Sequence, residues 1–233
     1  MGRKNLIGIF RIFLLTGLLV TITFRPSEKI LANELKSSPD IYNSYNFLAL
    51  STSLNPKLIQ CFLKRLPDFL PFAKNKVVTI IDYSLPSTYK RLWTINLETG
   101  KLLFNTFVAH GRNTGENVAE KFSNKPQSYQ SSLGFFLTDH TYKGKNGNSL
   151  RLQGLEKNIN DKALERDIVV HGAPYVSEGF IKTQGRLGRS LGCPAIPPEI
   201  TDDFIKVVKE GSLLFIYHPS YESFNNFTAT NKS

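Results

Sequence analysis

Residues 166–197, RDIVVHGAPYVSEGFIKTQGRLGRSLGCPAIP, constrain this chain more than any other stretch. Ile168, Val169 and Val170 read as a buried strand that ends on His171 and Gly172. A glycine-rich polar loop follows and returns to a lone cysteine, Cys193, between Gly192 and Pro194. An imidazole and a thiol brought together by such a strand and loop make a nucleophilic pair, and the rest of the chain reads as the frame that holds them.

The chemistry asks for these residue types. A free thiol with a pKa of about 8.5 is mostly protonated at neutral pH, so an attacking cysteine needs a neighbouring imidazole or helix N-terminus to form its thiolate. His171 is the candidate partner. Gly192 lets the backbone adopt conformations closed to other residues. Backbone N–H groups at Gly192 and Cys193 can then converge on one point, as an oxyanion hole requires. Pro194 has no N–H to offer. Ser190 is expected to orient this loop or to back the histidine. Arg186 and Arg189, just ahead of the cysteine, are either solvated loop charges or a carboxylate clamp, since a guanidinium holds a carboxylate through two hydrogen bonds. Gly172 is expected to contact substrate, and Tyr175 either to line the cleft or merely to pack. His110, followed by Gly111, imitates the His171 pair and reads as structural. His140 and His218 show no partner pattern, and no spacing resembles a zinc site.

A histidine-glycine pair ending a strand, followed by a loop and Ser-x-Gly-Cys, resembles the murein L,D-transpeptidase catalytic domain of the YkuD type. The similarity is to a branch with Ser-x-Gly-Cys-Pro-Ala, here Ser190, Leu191, Gly192, Cys193, Pro194 and Ala195. VAHGRNTG, FSNKPQSYQSSLGFF and SLRLQGLEKNIN extend it over roughly residues 76 to 217. The better-known members carry a second histidine where Leu191 stands and a polar residue where Ala195 stands.

The resemblance implies a mainly β fold with peripheral helices, a β-sandwich catalytic domain. It implies that Cys193 and His171 acylate on a murein stem tetrapeptide and pass the acyl group to an amine. Peptidoglycan stem peptides are then the partner, and no metal or organic cofactor is implied. Water as acceptor would make an L,D-carboxypeptidase, and a fold kept without catalysis would make a murein-binding module. A papain-like peptidase expects its cysteine early and its histidine late, the reverse of the order here.

Length and composition agree with one domain plus extensions: 233 residues, 41% hydrophobic and 12% aromatic. The formal charge of +10 invites nucleic acid. Arg3, Lys4, Arg11 and Arg25 all precede the first acid, however, and no basic stripe interleaved with aromatics is present, so no nucleic-acid partner is expected. Arg3 and Lys4 before the uncharged run 12–24 read as an export signal or an uncleaved membrane anchor over residues 1–32. The location this implies is the periplasm or cell envelope, with the N-terminal segment in contact with the membrane.

Residues 33–75 read as a linker and a helical extension, 76–218 as the catalytic domain and 219–233 as a polar tail. Asn55 and Pro56 supply a helix start, and Leu58, Ile59, Phe62, Leu63 and Leu66 an apolar face with Cys61 beside it. A core thiol is favoured for Cys61 over a disulfide with Cys193, which would remove the nucleophile. VVTIIDYS, RLWTINL, KLLFNTFVAHG, GFFLTDHTY, SLRLQGL and LLFIYH are strand candidates. Residues 112–132 form a long polar loop. Ile200, Phe204, Val207 and Val208 are expected on one face of a last helix.

Overall fold

The run LLFIY is apolar at every position, which suits a strand covered on both sides rather than one with a wet face. In the computed structural model, which describes residues 54–223, this run is the central strand. In chain order the strands are β1 Val77–Asp82, β2 Leu92–Asn96, β3 Leu102–Thr106, β4 Gly134–Gly144, β5 Gly147–Gly154, β6 Val169–Gly172, β7 Ala195–Ile196 and β8 Leu213–Tyr217. They form one eight-stranded sheet in the order β3-β2-β1-β8-β4-β5-β6-β7. All five residues of β8 are buried between parallel β1 and antiparallel β4. The sheet also curls toward closure, because the chain leaving β3 bridges back to the far edge: Ala109 pairs with Ala195, and Gly111 with Ser190. The expected mainly β architecture with peripheral helices is what the chain adopts, in a barrel-like form.

Register decides which side chains share a face. Phe135 pairs with Phe215, and both point to the side covered by helix α1, Pro56–Phe69. Phe62 stacks on Phe135 with ring centroids 5.9 Å apart, and Phe69 on the same ring at 4.3 Å. The other face carries Phe104, which meets Phe204 of helix α3, Thr201–Val208, edge-on at 5.5 Å. Asn55 caps α1 by accepting the Lys57 N–H at 2.9 Å, as its sequence position predicts. Helix α1 belongs to the same core as the sheet, with Leu58, Phe62 and Leu66 essentially inaccessible. Burying each such side chain contributes about 1.5–3 kcal/mol. Truncating Phe62 to Ala would cost about 3–5 kcal/mol.

A buried carboxylate fastens this layer. Glu156 accepts from the Phe135 N–H at 2.6 Å, from the Tyr221 hydroxyl at 2.8 Å and from Arg65 of α1 at 3.3 Å. Burial pushes its carboxyl above the usual range, and those three donors pull it back. Cys61 is buried in α1 and is a free thiol, pushed up to about 12 by burial, which agrees with the core reading.

Two details differ from expectation. The buried face of α3 is Thr201, Phe204, Ile205 and Val208, spaced i, i+3, i+4, i+7, while Val207 lies a third of a turn away and is exposed. A short helix α2, Glu178–Gln184, stands inside the loop expected to be irregular; Ser177 caps it and Gly185 ends it at φ +71°. The expected signal or anchor at 1–32, the linker up to residue 53 and the tail beyond 223 lie outside the described residues. No helix among the described residues is long and apolar enough to cross a membrane.

Candidate active site

The edge strand β7 is two residues long, yet it organises the site because Ala195 is paired on both sides. His171 pairs with it in parallel register across β6, and Ala109 pairs with it antiparallel from the opposite side. Continued two residues backward, the parallel register sets Cys193 beside Val169. Cys193 itself lies in the bend that precedes β7, packed against the core cluster that holds Ile168 and Val170.

His171 is 5% exposed, and its Nδ1 lies 3.0 Å from the Gly172 carbonyl oxygen. A carbonyl only accepts, so Nδ1 carries the hydrogen and Nε2 of the neutral ring keeps its lone pair. Burial holds the imidazole pKa below its ordinary value, the Gly172 carbonyl works against that, and Lys145 adds to it. Gly172 is placed differently from expectation. A Cβ there would stand 2.6 Å from Thr201 Oγ1, so its Cα faces packed protein, and its carbonyl serves the histidine.

The turn that carries Cys193 is clamped by Ser190. Its hydroxyl donates to the Cys193 carbonyl at 2.6 Å and accepts the Gly192 N–H at 3.1 Å. This corrects one expectation: the Gly192 amide closes the turn and is not open to an oxyanion. Ser190 orients the loop and makes no hydrogen bond to the histidine. Gly192 has φ +123°, and a Cβ on it would come within 2.9 Å of the Gln130 carbonyl, so glycine is required on both counts.

Cys193 is half-buried, and its Sγ–H donates to the Asp167 carbonyl at 3.6 Å. No hydrogen bond joins it to His171. Burial pushes its thiol pKa above the ordinary value, and Asp167 adds to that. The Val169 N–H, the Arg166 guanidinium and its own N–H pull it down. Arg166, not singled out from sequence, donates to the Ser123 and Gln130 carbonyls at 2.6 Å each, and to the hydroxyls of Ser128 and Ser132. Those acceptors are neutral, so its charge remains available to the sulfur. Tyr175 is half-buried against Gly188. Burial pushes its phenol up to about 12, with the nearby Cys193 and Tyr83 adding to it.

The profile of the L,D-transpeptidase catalytic domain matches residues 52–217. The chain belongs to the L,D-transpeptidase catalytic domain family. No curated protein matches it. Among solved structures it is similar to an L,D-transpeptidase from Mycobacterium smegmatis, with 14% identity over 62% of this chain and 59% of that one and a TM-score of 0.39. It is similar to the helical cell shape determining protein Pgp2 from Campylobacter jejuni, with 17% identity over 62% and 48% and a TM-score of 0.39. An L,D-transpeptidase from Mycobacterium tuberculosis H37Rv aligns with 14% identity over 62% and 58% and a TM-score of 0.37. The chain spans less than two thirds of the length of these proteins.

Within the family frame, Leu191 is exposed in the turn before Cys193. Arg186 and Arg189 both grip one carboxylate of the chain itself: Arg186 Nε lies 3.0 Å from Glu116 Oε2, and Arg189 Nη1 lies 2.5 Å from Glu116 Oε1. Their forks are thereby engaged, and the pair ties residues 112–121 to the loop before the cysteine.

His110 is buried and structural in its contacts. Arg91 Nη2 donates to its Nδ1 at 2.8 Å, so Nε2 carries the hydrogen and donates to the Gly115 carbonyl at 3.2 Å. Burial and the Arg91 charge push its pKa down to about 3. Arg91 lies over the Tyr83 ring at 4.8 Å and donates to the Val108 and Leu85 carbonyls, with burial lowering its pKa to about 10. His140 pairs with Asp139, and His218 bonds Ser220. Among the described residues no three His, Cys, Asp or Glu side chains converge as metal ligands would.

Proposed function

We propose that Cys193 is the nucleophile of an L,D-transpeptidase reaction on a murein stem tetrapeptide, with His171 as its general base and acid. The observation that supports this reading is the β6–β7 register, which brings the strand that ends on His171 alongside the segment that begins two residues after Cys193. The histidine tautomer supports it, since Nε2 is the nitrogen left to accept a proton. The thiol proton passes to Nε2, and the sulfur attacks the carbonyl carbon of the L-to-D peptide bond. The tetrahedral oxyanion takes the Cys193 N–H, since the Gly192 N–H is held by Ser190. Collapse breaks the C–N bond, and Nε2 returns the proton to the leaving terminal D-residue. An acceptor amine from a second stem then attacks the thioester, gives its proton to Nε2 and restores the thiol as the new amide forms. Water in place of the amine gives the carboxypeptidase outcome from the same acyl-enzyme.

A burial-raised thiol and a burial-lowered imidazole together favour a neutral resting pair. Arg166 and the Val169 N–H supply the field in which the thiolate forms once substrate excludes water. Export to the cell envelope fits this substrate and the N-terminal sequence. Intact mass after incubation with a carbapenem tests the nucleophile. A single adduct is expected on the wild type and none on Cys193→Ala; an adduct that survives the substitution sinks the assignment. Product analysis with a tetrapeptide and an amine acceptor then separates cross-link from hydrolysis. A domain that binds sacculi but is never acylated is a non-catalytic murein-binding module.

A further inference from the structure

Two arginines ahead of Cys193 already hold Glu116, but a third, whose backbone abuts the Cys193 turn, has no carboxylate against it among the described residues. Arg112 follows Gly111, and the backbone that carries it touches the backbone that carries the nucleophile. A Cβ on Gly111 would stand 2.9 Å from Gly192 Cα, and the Arg112 N–H donates to the Ser190 carbonyl at 2.8 Å. The side chain is exposed, and its guanidinium lies over the Tyr129 ring, 4.2 Å from the centroid. Stacking covers one face of the guanidinium and leaves its edge, the N–H fork, directed outward.

The platform itself is held at a cost. Tyr129 adopts φ +55° and Gln127 φ +59°, the left-handed region that bulky residues avoid. The Tyr129 carbonyl accepts the Asn113 N–H at 3.1 Å, which locks the ring beneath the residue before Asn113. Strain of this kind persists where the surroundings over-determine it, and it gathers at ligand clamps. An open cleft of about 410 Å³ adjoins, lined by Arg112, Asn113, Thr114, Lys121 and Arg189 among others. Glu116 occupies both Arg186 and Arg189 and offsets one of their two charges, so Arg112 and Lys121 are the cleft cations without a carboxylate partner among the described residues, with Glu120 beside them.

We infer that Arg112, spread on the Tyr129 ring, takes the C-terminal carboxylate of the acyl-donor peptide. That carboxylate lies one residue beyond the scissile carbonyl, and consecutive Cα atoms are about 3.8 Å apart. It must therefore come to rest close to the nucleophile turn, where Arg112 is anchored and where Arg186 and Arg189 are occupied. A planar fork accepts a carboxylate through two charge-assisted hydrogen bonds, which a carboxamide cannot match. The inference rests on the reading of Cys193 as nucleophile toward stem peptides, and its test is separable from that reading.

The full chain with Cys193→Ala is titrated calorimetrically with a murein tetrapeptide and with the same peptide amidated at its C-terminus. The carboxylate form is expected to bind roughly tenfold tighter or better. Adding Arg112→Gln should abolish that preference while leaving affinity for the amide unchanged, and Arg112→Lys should restore only part of it. Glu116→Gln, which frees the other two forks, should leave the preference in place. A preference that survives Arg112→Gln, an equal loss for both peptides, or no preference in the parent protein overturns the subsite. Iodoacetamide, which carries no carboxylate, reads Cys193 separately: Arg112→Gln should alkylate at the wild-type rate. Wild-type protein that turns over neither peptide refutes the proposed reaction, while the titration still decides the subsite.

Discussion

Two His-Gly pairs flank the same short strand, and they have opposite fates. His171 reaches β7 from one side and His110–Gly111 from the other, each at the end of an extended segment. Both rings are buried, at 5% and 1% exposure. The difference lies in their nitrogens. His171 gives one hydrogen to the Gly172 carbonyl and keeps a lone pair, whereas His110 has both nitrogens engaged, by Arg91 and by Gly115. A histidine becomes a base when its neighbours fix one nitrogen and leave the other. It becomes a strut when a permanent donor such as guanidinium takes the remaining lone pair.

The comparison can be broken in four ways. Cys193→Ala should abolish carbapenem acylation and tetrapeptide turnover, read by mass and by product chromatography. His171→Gln should lower turnover about 10²- to 10⁴-fold, the usual worth of a positioned general base. The same substitution at position 110 should not, and equal losses at the two positions would erase the distinction.

Acid should reveal the pair through stability. The folded-state pKa of His110 is lowered from 6.5 to about 3, so between those values the unfolded chain binds one more proton than the folded one. Stability therefore falls as pH drops through that window, by about 1.4 kcal/mol per pH unit from this group. His171, also lowered, adds in the same direction just below its ordinary value. Urea midpoints against pH should show a shallower acid slope in His110→Leu than in the wild type. The smallest effect is that substitution at neutral pH: it leaves Arg91 without one buried acceptor and should cost about 1–3 kcal/mol by denaturant unfolding. Alkylation of Cys193 should be unchanged by it. A large drop in alkylation would mean that the strut also sets the nucleophile.

Much of the frame was legible because apolar periodicity is local. The strands from VVTIID to LLFIY, the capped helix at Pro56 and the burial of Cys61 all follow from neighbours within a few residues. The need for glycine before Cys193 was legible too, since Gly192 stands at a backbone angle that few other residues adopt. What escaped were contacts distant in sequence. Arg166 reaches carbonyls 36 and 43 residues away, Glu116 closes on arginines more than 69 residues further along, and Glu156 binds Arg65 across 91 positions. Val207 misled because adjacent apolar residues on a helix lie about 100° apart, so Val207 and Val208 do not both face the core.

By itself the sequence determined most of the element types, the order of histidine before cysteine, and the family to which that order belongs. It did so because side-chain size, branching and glycine freedom act on the backbone where they stand. Only the tertiary structure decided which histidine keeps a lone pair, which arginines are already paired and which amide is closed off. Those outcomes depend on partners that sheet closure brings together, and a hydrogen bond taken by one group is no longer offered to another.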